Sequence, residues 1–257
     1  MKIALAQTNI IWNDPEKNLE NYRFFINQAH ASGVELLVFP EMFNTGFSFP
    51  TGKIARQAQK LGCEFLEESA LQSGMYVAAS MPKVIEKDDR PFNTLYLYGS
   101  QGCVGEYSKI HLISALNEDK VYQSGNLQFT VRLNEFRISF FICYDLRFPQ
   151  VFSTIAEKTD LYVIVANWPS SRKTHWEVLL AARAIENQAF VAGVNRIGHG
   201  GGLDFDGGSR IISPMGELIE CGGNTQQLLV ADLDIDDVLL WRKNFRCLKD
   251  KKMLSNE

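Results

Sequence analysis

Phe136-Arg137-Ile138-Ser139-Phe140-Phe141-Ile142-Cys143-Tyr144-Asp145-Leu146-Arg147-Phe148-Pro149 is the stretch on which the reading of this chain turns. It begins as an apolar run rich in aromatic and β-branched residues, the composition of a buried strand. It reaches Cys143 and then turns polar at Asp145 and Arg147. Pro149 suits the first turn of a following helix, where its missing N–H costs nothing. The pattern predicts a thiol at a strand end, where α/β proteins place their chemistry. On this stretch alone a core cysteine is an equal alternative, because free Cys is among the most buried residue types.

The flanking sequence repeats one design. Lys2 to Gln7 reads as a strand, and Asp14-Pro15-Glu16 supplies the cap, first-turn proline and early acid of a helix. Val34 to Phe39 is a nearly continuous apolar run that suits a strand buried on both faces, and it ends in Pro40-Glu41-Met42-Phe43. The second half returns to the pattern: a helix from Gln150, a buried strand Asp160 to Ala166 ending in Asn167-Trp168-Pro169, and an amphipathic helix His175 to Gln188. Between the halves, strands are expected at Met75 to Val84, Thr94 to Tyr98 and Val104 to Ser108, with a polar turn at 86–91 and a long polar loop from Ser114 to Asn126. The glycine-rich segment Gly198 to Gly208 matches neither a dinucleotide nor a P-loop spacing and reads as a loop. No linker or composition shift interrupts the chain. The expectation is an α/β fold, one domain over 1–257 built from two mixed sheets with helices outside, with a C-terminal tail from about 245.

Composition narrows the function. The 257 residues carry a net charge of −4, which argues against a nucleic-acid surface. No apolar stretch is long enough to span a bilayer, and no membrane partner is expected. Five scattered cysteines without a Cys-x-x-Cys argue against a disulfide framework and for a reducing cytoplasm. Four unpaired histidines give no metal-ligand spacing, so neither a metal nor another cofactor is expected.

Three strand-like segments now end in a reactive residue: Glu41, Lys109 and Cys143. Taken singly, the first two read as ordinary surface charges. Together with a strand-end cysteine they form a set that can break an amide. A thiol is only a few per cent thiolate at neutral pH and needs a base. Glu41, whose apolar flanks favour a more basic carboxyl, can take that proton. The Lys109 ammonium and the backbone N–H of Tyr144 can hold the tetrahedral oxyanion, with one such donor worth about 3 kcal/mol.

The blocks Pro40 to Phe43, Tyr107-Ser108-Lys109-Ile110-His111-Leu112 and Cys143 to Pro149 resemble, in order, the three signature blocks of the nitrilase, or carbon–nitrogen hydrolase, superfamily. The resemblance covers nearly the whole chain. It implies the Glu-Lys-Cys triad, a four-layer α-β-β-α sandwich, and a homodimer formed through the helices near the cysteine. It also implies a second glutamate after the lysine. Glu118 stands at that place, where it would orient Lys109 or the substrate, against the alternative of a plain loop acid. Tyr144-Asp145 stands where true nitrilases carry Trp-Glu, as in amidase-like branches. Ala166-Asn167-Trp168-Pro169 and Ala182-Arg183-Ala184-Ile185-Glu186-Asn187-Gln188 look like the ω-amidase branch, which deamidates 2-oxoglutaramate and 2-oxosuccinamate to the diacids.

Such a substrate carries a far carboxylate and calls for a cation. Arg172, Lys173 and Arg147 are the candidates, with arginine preferred for a bidentate grip and a structural ion pair as the alternative for Arg147. Arg183, beside Glu186 in mid-helix, reads as structural. Phe43 and Trp168 are candidates to line the acyl pocket, with core packing as the equal alternative. A Cys–His pair using His111 or His175 has no support in the sequence. The alternative functions are another amide or N-carbamoyl hydrolase on the same triad, and a catalytically silent binding protein, for which the three intact residues have no use.

Overall fold

The computed structural model describes residues 1–85 and 90–252. Most of the turn expected at 86–91 therefore lies outside the described residues. The strands are β1 (Lys2–Gln7), β2 (Leu36–Val38), β3 (Tyr76–Lys83), β4 (Phe92–Gly99), β5 (Gly102–Ser108), β6 (Thr130–Leu133), β7 (Phe136–Ile142), β8 (Leu161–Ala166), β9 (Phe190–Asn195), β10 (Ile197–Gly200), β11 (Leu203–Asp206), β12 (Arg210–Ile212), β13 (Leu218–Cys221) and β14 (Gln227–Asp232). The helices are α1 (Pro15–Ala31), α2 (Gly52–Ser73), α3 (Glu118–Val121), α4 (Pro149–Ser153), α5 (Lys173–Asn187) and α6 (Ile235–Asn244).

Two six-stranded mixed sheets carry the fold, in the orders β14-β1-β2-β3-β4-β5 and β13-β12-β9-β8-β7-β6. The strands β1, β2 and β3 run parallel, as do β7, β8 and β9. Alternation along the strands assigns the layers. In β1, Ile3 and Leu5 enter a core shared with β7 and β8, whereas Ala4 and Ala6 face Tyr22 and Phe25 of α1 and Phe65 and Leu66 of α2. Successive strand residues point to opposite faces, so one strand serves both a sheet–sheet core and a sheet–helix core. On the far side α5 lies over β9, and Gly193 makes the approach possible: a Cβ there would fall 2.6 Å from the Leu180 side chain. The result is two mixed sheets with helices outside, as the sequence led us to expect.

Local signals worked where they were strong. Asp14 caps α1, accepting from the Lys17 N–H at 3.2 Å, with Pro15 in the first turn. Two readings need correction. The glycine-rich segment is no loop: β10 and β11 pair as an antiparallel hairpin, and glycines are needed because Trp12 lies on them. A Cβ at Gly200 would sit 2.4 Å from the Trp12 ring. The polar segment after Lys109 is also not all loop, since Glu118 opens the short helix α3.

Candidate active site

The segments that follow β5, β7 and β8 meet at one cavity of about 390 Å³. Its wall includes Lys109, Cys143, Tyr144, Arg147, Asn167, Trp168 and Arg172. Loop residues Phe47 and Phe49 and the segment around Ile113 to Leu116 close part of it, and Trp12, Leu203 and Phe205 of the hairpin side complete it.

Cys143 does not belong to the strand. Strand β7 stops at Ile142, and Cys143 opens a 3-10 turn with φ at +45°. That left-handed backbone costs a residue with a Cβ about 1–3 kcal/mol and persists only where its surroundings hold it. The turn lifts the thiol off the strand into the cavity and places the Tyr144 N–H at the start of the turn, where the first N–H groups have no internal acceptor.

Lys109, Glu41 and Glu118 are all buried. The Lys109 ammonium donates to Glu41 Oε1 at 3.0 Å and to both oxygens of Glu118, at 2.9 and 3.0 Å. Burial alone would pull the lysine down, but the carboxylates of Glu118 and Glu41 outweigh it and hold the ammonium above its ordinary range. Lys109 is thus a fixed positive charge that cannot give up a proton at neutral pH. Burial raises the Glu118 carboxyl, against the pull of Lys109. The ring of Phe47 covers the ammonium at 4.9 Å.

Glu41 accepts from Asn93 Nδ2 at 2.8 Å and from the Asn167 N–H at 2.9 Å, besides Lys109. A carboxylate offers about four acceptor sites, so three donors leave one for the thiol. Burial, and next the Glu41 carboxylate, push the Cys143 thiol well above its ordinary range, although Lys109 opposes them. The resting group is therefore the neutral thiol, and an adjacent base must remove its proton.

Arg147 and Arg172 stand at the other part of the cavity. The Arg147 guanidinium lies 4.8 Å from the Trp168 ring and 5.9 Å from that of Tyr144, and meets His175 Nδ1 at 3.1 Å. Among the described residues neither arginine joins an ion pair. Lys173, the third candidate cation, is paired with Asp206 at 3.2 Å.

The structure thus brings together Glu41, Lys109, Cys143, Glu118 and Tyr144, and sets Arg147, Arg172 and Trp168 on the same cavity. Phe43 is the correction. It is fully buried on the helix side of the first sheet, 5.7 Å from the Tyr22 ring and 6.2 Å from that of Phe65, and it does not line the cavity. It follows Met42, whose φ of +48° turns the chain, so Glu41 and Phe43 face different layers. Arg183 is structural, donating to the Leu146 carbonyl at 2.6 Å and to Glu186. Both histidine rings are engaged elsewhere, His111 with Asp145 and His175 with Arg147. Asn93, Trp12 and Phe205 were not singled out from the sequence. Asn93 lies inside a strand with no local mark, and the two aromatics are far from the signature blocks. Among the described residues no His, Cys, Asp and Glu cluster could hold a metal, and no helix is long and apolar enough to cross a membrane.

Residues 2–243 match the carbon–nitrogen hydrolase family model. The chain is similar to "Omega-amidase YafV" of Escherichia coli K12, 36% identical over 97% of this chain and 96% of that one. It is also similar to "2-oxoglutaramate amidase" of Bacillus subtilis, 31% identical over 91% of each. Among solved structures, XC1258 of Xanthomonas campestris, a CN-hydrolase superfamily protein with an arsenic adduct in its active site, superposes with a TM-score of 0.91 at 29% identity over 100% of this chain and 99% of that one. A mutant of the amidase from Nesterenkonia sp. AN1, showing Michael addition of acrylamide at the active site cysteine, gives 0.85 at 26% identity over 95% and 97%. The fold is that of the nitrilase-like sandwich, and the family match makes the protein a carbon–nitrogen hydrolase. The chain belongs to the carbon–nitrogen hydrolase family.

Proposed function

We propose that this enzyme is an amidase of ω-amidase type, which hydrolyses the terminal amide of small 2-oxo acid amides such as 2-oxoglutaramate and 2-oxosuccinamate. Glu41 takes the thiol proton as Cys143 Sγ attacks the amide carbon. The oxyanion rests on Lys109 and the Tyr144 N–H. Collapse breaks the C–N bond, Glu41 returns the proton to the leaving nitrogen, and ammonia departs from a thioester. Water enters, Glu41 takes its proton, and hydroxide attacks the thioester carbon. The thiolate leaves, recovers the proton, and the diacid is released. Glu118 touches Lys109 rather than Cys143 in this scheme and keeps the ammonium charged and aimed.

One observation carries the substrate class: Arg147 and Arg172 share the cavity with the thiol, and among the described residues neither has an acidic partner. An unpaired guanidinium fits the far carboxylate of an oxo-acid monoamide, and Trp168 supports Arg147 from below. The names of the bacterial relatives support the same reading. The five free cysteines suit a reducing cytoplasm. A homodimer fits the exposed apolar side chains of Val178 and Ile185 on α5 and of Leu239 and Leu240 on α6.

The test is ammonia release from 2-oxoglutaramate, run beside glutamine, asparagine, an N-carbamoyl amino acid and a simple nitrile. A kcat/KM of about 10⁴ M⁻¹s⁻¹ or more on the oxo-amide alone supports the proposal. Turnover of a different compound keeps the triad and discards the substrate.

A further inference from the structure

A third fully buried carboxylate, Asp145, lies beside Glu41 and Glu118 and takes no part in the chemistry above. Asp145 Oδ2 accepts from the Ile142 N–H at 3.1 Å and from the Tyr107 hydroxyl at 2.8 Å. Its Oδ1 accepts from the His111 N–H at 2.9 Å and from His111 Nδ1–H at 2.9 Å. A buried carboxylate without partners would be costly, and here four donors satisfy it. Among the described residues it forms no ion pair with a lysine or arginine.

The sources of those donors are what matters. Ile142 is the residue before Cys143, at the end of β7 in the second sheet. Tyr107 and His111 stand two residues either side of Lys109, at the end of β5 in the first sheet. One carboxylate therefore ties the turn that carries the thiol to the segment that carries the ammonium, across the gap between the sheets. A second contact joins the same two segments: the His111 ring stacks on Phe148 at 3.8 Å and 8°. The arrangement also answers a need of the turn itself. Cys143 sits at φ +45°, a conformation that must be imposed from outside, and the Asp145 bond to Ile142 N–H pins the residue just before it.

We infer that Asp145 is a positioning residue, which fixes where the Cys143 thiol stands relative to the Lys109 ammonium by holding both segments to one carboxylate. The inference rests on the proposed roles of Cys143 and Lys109. It implies that loosening Asp145 slows the chemical step and leaves the cavity walls, and so KM, in place.

The experiment measures kcat, KM and the rate of Cys143 alkylation by acrylamide in Asp145→Asn, Tyr107→Phe, His111→Phe and the Asp145→Asn/Tyr107→Phe double variant. Asp145→Asn turns an N–H toward donors. Misplacing reacting groups by an ångström can cost about 100-fold, so kcat should fall by about that factor. KM should barely change, and the alkylation rate should fall in step. Tyr107→Phe and His111→Phe each remove one donor of four and should give smaller falls of the same kind. The double variant should be no slower than Asp145→Asn alone, as expected of residues in one network. Wild-type kcat in both Tyr107→Phe and His111→Phe would overturn the inference, even if Asp145→Asn does not fold. So would additive losses in the double variant. A Cys143→Ala control separates the two levels: if it stays active the catalytic proposal fails, and if it is dead while Asp145→Asn is wild type only this inference fails.

Discussion

Replacing Glu118 by Gln asks whether this acid supports the lysine or is a bystander. The change keeps the shape and one accepting oxygen but removes a charge 2.9 Å from the Lys109 ammonium. At an effective dielectric constant of about 20, that charge pair is worth about 6 kcal/mol. Much of this is returned, because the glutamine oxygen still accepts one N–H and Glu41 remains at 3.0 Å. We take the remaining loss as about 3 kcal/mol, the size of one oxyanion donor. At 1.36 kcal/mol per tenfold change, kcat should fall about a hundredfold. The pH dependence adds a sign. Burial lowers the lysine and the two carboxylates raise it, so removing Glu118 lets burial gain ground. The ammonium then deprotonates at lower pH than in the parent enzyme, and kcat/KM should acquire a new alkaline limb. The assay is steady-state ammonia release from neutral to alkaline pH in both proteins. A variant with parental kcat and no new alkaline limb would refute the role given to Glu118.

Other consequences follow from the same geometry. Arg172→Ala and Arg147→Ala should each raise KM for a carboxylate-bearing amide about 10-fold or more, since a charged hydrogen bond is worth about 1.5–3 kcal/mol; an uncharged short amide run beside it should change little. Glu41→Gln should abolish turnover while thermal unfolding shows a folded protein, because Lys109 keeps Glu118 and the neutral thiol loses its base. Gly200→Ala should lower the melting temperature in a calorimetric scan, because its Cβ would lie 2.4 Å from Trp12 and such overpacking costs about 1–3 kcal/mol.

How far the sequence reached depended on the range of the forces involved. The thiol turn was legible because β7 is a long apolar run that stops at a polar segment, and burial is a local signal. Lys109 and Glu41 were legible only together, since a charged residue at one strand end carries no mark of what the other strand ends bring. The three-residue β2 was read too long, because Val34 and Phe39 are as apolar as the paired residues but lie outside the ladder. The hairpin β10–β11 was missed for the opposite reason. Its glycines erase the alternating pattern, and they are there for Trp12, nearly two hundred residues earlier in the chain. Phe43 failed as a pocket residue because the backbone reverses at Met42, and no propensity of Met announces a positive φ. Asn93 donates to Glu41 from within an ordinary strand, which only the register of β4 against β5 could reveal.

The central claim is a thioester on Cys143. The direct measurement is intact-protein mass spectrometry after rapid quenching of the enzyme with 2-oxoglutaramate, with ammonia release followed on the same samples and on Cys143→Ala. The account predicts an added acyl mass that maps to Cys143, and no ammonia from the Cys143→Ala variant. Ammonia release by Cys143→Ala at the parental rate would contradict it.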